Sequence, residues 1–286
     1  MRKMGGHVER FRDEEVLVAE DESRNHLRRG VLHFNPGRDL PMILAVRNAA
    51  FISHGQLFSQ LASQGTESNR QGFCWRLKRL VDAGLIQRLP QIMPYSGATY
   101  TITRAGLICL ESCGEGLVSI TSDSRSLPNS RQAAHYLELG EIRGALRKAR
   151  ILRRWISDIE LRSMNLSIDL PLAKDYDAVA ELAIERCMEV SAGIEYEKTL
   201  KGSQRYREIV KAVKEEKQLD LLVYLTSSID LVYQLRAEFE ELDFPTVFAP
   251  SGPFRRNPLN LPMYCTLFPG QKKVILAEIV SALPRH

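Results

Sequence analysis

Between Gly193 and Val210 the chain reads Gly-Ile-Glu-Tyr-Glu-Lys-Thr-Leu-Lys-Gly-Ser-Gln-Arg-Tyr-Arg-Glu-Ile-Val, residue types that could do chemistry. As a strand, its opening places Glu195 and Glu197 on one face and Ile194, Tyr196 and Lys198 on the other, because successive side chains alternate. Tyr206, Ile209, Val210 and Val213 then recur at helical spacing, so the strand runs into a helix that packs back on the sheet and holds Lys201 near its start. Acids beside a lysine at a strand end can hold a divalent metal and a phosphate. A solvated, salt-bridged edge strand would give the same pattern without chemistry. A further acid, Asp177, opens another strand within Asp175-Tyr176-Asp177-Ala178-Val179-Ala180-Glu181-Leu182 and favours the first reading.

At 286 residues, 44% of them apolar, the sequence is long enough for two domains and has the composition of a soluble globular protein. The five cysteines, Cys74, Cys109, Cys113, Cys187 and Cys265, are irregularly spaced. No signal peptide or long apolar span precedes them, which points to a reduced, cytoplasmic protein with no membrane partner. Cys109 and Cys113 lack a second Cys or His pair at zinc spacing and read as ordinary thiols. A net charge of +4 permits nucleic acid as a partner, and its distribution says more.

Residues 1–38 are dense in both signs and show little hydrophobic periodicity, so they read as a mobile or partner-ordered arm. From Asp39 the pattern is that of compact helices. Leu40, Ile43, Leu44, Val46 and Phe51 form an apolar face, and Pro41 suits a first helical turn. Ser53-His54-Gly55-Gln56 has the form of a capping box opening a second helix. A third runs over 67–83, with Gly84 as its stop. Its buried stripe is Phe73, Leu77, Leu80 and Val81, and Ser68, Gln71, Trp75, Lys78 and Arg79 lie opposite. Two strands, 85–89 and 99–103, then flank a loose tip at Pro94-Tyr95-Ser96-Gly97.

Three helices followed by a hairpin predict a winged helix-turn-helix over residues 39–112. Between Thr66 and Arg104 there are six Lys or Arg against two acids, the footprint that phosphate contact requires. Gln71, Lys78 and Arg79 supply donors for a major groove, Arg88 and Tyr95 belong to the wing, and Ser68 and Trp75 complete the expected DNA-binding set. Trp75 has the alternative of packing on the other domain or a second subunit. A winged helix that mediates protein contacts is the competing reading for the whole block.

The run from Phe51-Ile52-Ser53 through Leu77-Lys78-Arg79-Leu80-Val81-Asp82-Ala83-Gly84-Leu85-Ile86 to Tyr100-Thr101-Ile102-Thr103-Arg104-Ala105-Gly106 resembles the winged-helix start of the replication-relaxation family of plasmid and mobile-element proteins. Glu195, Glu197, Lys201, Arg205 and Tyr206 carry a second resemblance to that group. Together the two cover residues 40–250.

Residues 113–129, rich in Gly, Ser and Asp, read as a linker to a mixed αβ domain over 130–286. There a helix over 130–150 precedes strands near 154–161 and 176–184, the Glu195 strand and its helix. A continuously apolar central strand follows at 219–226, then a helix from Ser228, a Pro/Gly-rich loop at 250–258 and closing strands at 263–267 and 273–276. Helix, three strands, helix, strand resembles the core order of the PD-(D/E)xK nuclease-like fold. That likeness implies metal ligands at Asp177 and Glu195, with Mg2+ or Mn2+ as the ion, and a lysine two residues after the glutamate to help activate water. Glu197 occupies that slot, Lys198 points to the other face, and Lys201 is the nearest substitute. The implied catalytic set of an active enzyme is therefore Asp177, Glu195, Glu197 and Lys201.

The expected fold class is mixed α/β, a winged helix followed by a nuclease-like domain. The preferred function is a double-stranded-DNA-binding protein of a plasmid or mobile element, acting in transcription regulation, replication or mobilisation and needing no cofactor to bind DNA. The alternatives are a metal-dependent endonuclease targeted by its winged helix and an interaction scaffold with neither activity. A pseudo-palindromic site would imply a homodimer. Nothing in the sequence indicates a small-molecule ligand.

Overall fold

The computed structural model describes residues 34–95, 97–123, 129–167, 171–184, 188–268, 270 and 272–283. The arm expected over 1–38 lies outside these residues up to position 33, and Ser96 of the hairpin tip and Cys187 also lie outside them. The chain is mixed α/β, with a helical half carrying a three-stranded sheet and a second half built on a six-stranded mixed sheet. Among the described residues no helix is long and apolar enough to cross a membrane.

In the helical half, α1 (Pro36–Asn48), β1 (Ile52–Ser53), α2 (His54–Ser63) and α3 (Arg70–Asp82) precede β2 (Ile86–Leu89), β3 (Thr99–Ile102) and α4 (Arg104–Ser112). Pro36 rather than Pro41 stands at the start of α1, so Pro41 falls inside the helix. The capping box at α2 is complete: Ser53 Oγ accepts from the Gln56 amide while Gln56 Oε1 accepts from the Ser53 amide. The third helix opens at Arg70, three residues later than its pattern suggested, because the Asn69 side chain accepts from the Gln71 amide and ends the preceding turn there. Gly84, at φ +73°, takes the left-handed conformation that closes the helix. Phe51, Leu57, Leu61, Phe73, Leu77 and Leu80 are buried together as this half's core. Gly106 is required by a close approach, since a Cβ there would collide with the Leu85 carbonyl and the Ile102 side chain.

The second half begins with α5 (Ala133–Lys148), then β4 (Leu152–Ser157), α6 (Asp158–Asn165), β5 (Ala178–Ile184), β6 (Met188–Glu197), α7 (Ser203–Lys214) and β7 (Leu221–Thr226). It continues with α8 (Ile229–Glu238), β8 (Thr246–Pro250), α9 (Ser251–Arg256), β9 (Tyr264–Cys265) and α10 (Leu276–Ser281). The strand order is β4-β5-β6-β7-β8-β9; β6, β7 and β8 run parallel and the other neighbours antiparallel. One face packs Ala192, Ile194, Val223 and Leu225 against Leu139, Ile142 and Leu146 of α5. The opposite face packs Leu222 and Tyr224 against Tyr206, Ile209 and Val213 of α7 and Val232 and Leu235 of α8.

Three local expectations give way here. The strand read over 154–161 ends at Ser157, because Ser157 and Glu160 form a second capping box and turn the chain into α6. The loop read around 250–258 contains the end of β8 and the short α9, and β8 itself went unread. The closing strands reduce to the two residues of β9 and a bridge between Met263 and Val274. The linker is also less open than its composition suggests: Ser119 Oγ donates to the Ile159 carbonyl at 2.6 Å, and Ile120, Ala133 and Ile159 join the core of the helical half. The two halves are further tied by Gln56 Nε2, which donates to the Leu137 carbonyl and to Glu141, each at 2.8 Å.

Candidate functional site

The amphipathic split of α3 separates its two faces by environment. Phe73 and Leu80 are fully buried, while Arg70, Gln71, Trp75 and Lys78 are exposed, as is Ser68 just ahead of the helix. Trp75 is 53% exposed and receives the Arg79 guanidinium over its ring, so within this chain it does not serve as an interdomain contact. Arg88, on β2, is exposed beside this face.

Two residues expected at this interface are engaged elsewhere. Arg79 bonds both oxygens of Asp39, a carboxylate of α1 with no exposure at all, and its own side chain is 12% exposed. It sits at the border of the buried stripe, and a buried carboxylate within reach outweighs hydration of the guanidinium. Tyr95 turns away from the helix: its hydroxyl donates to Glu138 Oε2 at 2.7 Å and to the Ala134 carbonyl at 3.2 Å, fixing the hairpin tip on α5. Arg76 is likewise consumed, bonded through Nε to Glu67 at 2.6 Å. Of the charges between Thr66 and Arg104, this leaves Arg70, Lys78, Arg88 and Arg104 exposed, with Lys78 in an i,i+4 pair with the exposed acid Asp82 and Arg104 facing Asp123 at 3.6 Å.

The acidic cluster of the second half is interior. β6 is the third strand of six, with partners on both sides, so the edge-strand reading does not hold. Glu195 and Glu197 are 5% and 6% exposed and project to the tyrosine-lined face, as alternation requires. Lys174, from the loop before β5, bonds Glu195 Oε1 and lies over the Tyr176 ring. Lys201 meets Glu197 at 2.9 Å, and Tyr224 donates to the same carboxylate at 3.4 Å. Asp177, at the entry to β5, accepts the Tyr196 amide at 2.8 Å on one oxygen and faces His135 Nε2 of α5 at 3.2 Å on the other.

These contacts divide the protonation behaviour. Burial pushes the Glu195 carboxyl up, against the pull of Lys174, and the negative charge of Asp177 adds to the rise. Burial would raise Asp177 too, but the hydrogen bond and charge of His135 outweigh it and hold this carboxyl below its usual range. His135 rises in turn, because its bond to Asp177 overcomes the burial that would lower it. Burial lowers Lys201, and its bond to Glu197 more than reverses this.

Each carboxylate thus already holds a cation of the chain, with His135, Lys174 and Lys201 as three partners for three acids. Among the described residues no group of three His, Cys, Asp or Glu is arranged to hold a metal ion. A divalent ion held by Asp177 and Glu195 would share these carboxylates with His135 and Lys174 or displace them. Lys174 and His135 are the members that sequence reasoning missed. Lys174 stands three residues before Asp177 in a segment of no regular structure, and His135 lies at the start of a helix whose apolar positions drew the reading. Neither a family model, nor a curated protein, nor a solved structure matches this chain.

Proposed function

We propose that the chain is a double-stranded-DNA-binding protein in which α2, α3 and the β2–β3 hairpin act as a winged helix-turn-helix. The six-stranded half is a nuclease-like scaffold that binds or positions rather than cuts. The observation that carries this reading is the outer face of α3, where Arg70, Gln71, Trp75 and Lys78 are exposed opposite buried Phe73, Leu77 and Leu80, with Val81 of the expected stripe half-buried. Thirteen residues make a helix about 20 Å long, enough to lie in a major groove about 12 Å wide. Gln71 and Lys78 are the base-edge and phosphate donors, Arg70 and Arg88 flank them, and Ser68 reaches the backbone at the helix start. The resemblance to the replication-relaxation family adds the setting: control of transcription, replication or mobilisation of a plasmid or mobile element.

The test is fluorescence anisotropy on labelled duplex fragments, comparing wild type with Gln71→Ala and with Lys78→Ala. Weakened binding with unchanged circular dichroism supports the interface. Unchanged affinity in both variants removes it. Arg79→Ala is unsuitable for this purpose, since it strips the buried Asp39 of its principal partner.

One observation favours a second reading as a metal-dependent endonuclease: Lys174 brings to Glu195 the lysine that the slot at Glu197 lacks. Plasmid incubated with Mn2+ and protein decides it. Nicking that disappears in Glu195→Ala would support the enzyme, and intact plasmid removes it.

A further inference from the structure

Arg143 and Arg147 stand one turn apart on α5, and both line a groove of about 650 Å3 between the helical half and the sheet half. That is the size of a small-molecule site. Arg143 donates to Gln60 Oε1 at 2.8 Å and Arg147 to Ser63 Oγ at 2.7 Å, both neutral partners on α2. Neither forms an ion pair among the described residues, and Arg143 Nε is buried without a partner. Glu160, whose charge favours the Arg143 guanidinium, is already engaged by Asn48 and by Ser157. Burial, reinforced by the charge of Arg147, pushes Arg143 down to about 10. A guanidinium in that position gains from an anion.

The groove carries charge at both ends, with Phe51, Ile52 and Leu139 among its apolar lining. Lys148 adds a third cation beside the arginines. At the other end Asp158 accepts from the Tyr136 hydroxyl at 2.9 Å, and Trp155 lines the wall. The rise of a helix puts Tyr136 and Arg147 about 16 Å apart along α5. A ligand with an anionic end and an aromatic, hydrogen-bond-donating end matches this polarity. Gly144 is exposed on the groove's lining, and a Cβ there would meet no atom within 4 Å.

We propose that this groove binds a nucleotide, with Arg143, Arg147 and Lys148 taking the phosphates and Tyr136, Trp155 and Asp158 facing base and sugar. A ligand held by both α2 and α5 joins the two halves. The site stands independently of the DNA-binding reading.

The chain has two tryptophans, Trp75 and Trp155, so in a Trp75→Phe background the emission reports on the groove. Titration with ATP and with ADP is expected to change that emission saturably. Inorganic pyrophosphate is expected to compete with either. Arg143→Gln should weaken ATP binding about tenfold or more, a loss of about 1.4 kcal/mol. Gly144→Leu should abolish binding while keeping or raising the melting temperature, because it fills open space and removes a helical glycine. Arg147→Gln is the second variant should Gly144→Leu fail to fold, with the same loss expected as for Arg143→Gln. If neither nucleotide changes emission or melting temperature, the arginines are only clamps between α2 and α5 and the proposal is wrong. A response that persists in Gly144→Leu and in Arg147→Gln places the ligand elsewhere and also overturns it. So does a response to duplex DNA alone, which would make the groove part of a nucleic-acid track.

Discussion

Each half of the chain holds a cluster of buried charge, and the two clusters differ in where their cations come from. In the helical half, Asp39 and Glu67 are balanced by Arg76 and Arg79, the two arginines lying on a single helix that also carries the core stripe. In the sheet half, Asp177, Glu195 and Glu197 are balanced by His135, Lys174 and Lys201, contributed by α5, by a loop and by the entry to α7. The first cluster is sealed, with no side chain in it more than 12% exposed; in the second, Lys201 is 42% exposed and His135 31%. Sealed charges fix one packing of helices. Charges whose partners reach solvent can exchange those partners or titrate.

The largest expected effect breaks the sealed cluster. Asp39→Ala removes the buried carboxylate that Arg79 bonds, while Arg76 keeps Glu67, and should cost about 3–5 kcal/mol in urea denaturation. A loss below about 1 kcal/mol would show that Arg79 reaches water once released, and that the two clusters are alike. In the open cluster, Lys174→Met should cost less, about 2–3 kcal/mol for a lost charged hydrogen bond. Adding Glu195→Gln should recover part of that loss, since burial already disfavours this carboxylate's charge. A double-mutant cycle measures the coupling, and strict additivity would mean that Lys174 does not compensate Glu195.

A smaller effect concerns the tie between the halves. Tyr95→Phe removes the bond to Glu138 and should cost about 1.5 kcal/mol, with increased proteolysis at the hairpin tip. Equal stability and equal cleavage would mean that the tip is held by other contacts.

The smallest effect is pH dependence. His135 has a folded pKa above its unfolded value, so its contribution is full below about pH 6.5 and is lost as pH rises through the folded pKa. Asp177 is shifted down, so its contribution is present above about pH 3.8 and is lost as pH falls through its folded value. His135→Gln should flatten the alkaline side of the stability profile. An unchanged alkaline limb would exclude the His135–Asp177 pair as its source.

Much of this was legible where the signal is local. The Ser53 capping box, the buried stripe of α3, the apolar run of β7 and the shared face of Glu195 and Glu197 all follow from spacing alone. What was not legible depended on partners distant in sequence. Arg79 looks like a groove donor until Asp39, forty residues earlier, is seen to be buried beneath it. Tyr95 looks like a wing residue until Glu138 lies within reach. Glu195 and Glu197 look like a strand edge until β7 pairs alongside. Lys174 carries no periodicity at all, and only the fold brings it to Glu195. The start of α6 is a different kind of miss, since Ser157 and Glu160 spell a capping box that the β-rich residues before them masked.

We propose that the exposed face of α3 binds DNA while its inner arginines serve the fold. The measurement that tests it most directly is the salt dependence of duplex binding for wild type, for Arg70→Ala with Lys78→Ala, and for Arg79→Ala, each alongside its thermal unfolding. The double variant should keep its melting temperature and lose affinity, with the slope of log affinity against log salt falling by about one for each phosphate contact removed. Arg79→Ala should instead lower the melting temperature. A double variant with unchanged affinity and slope would contradict the claim, as would an Arg79→Ala protein that is fully stable but no longer binds DNA.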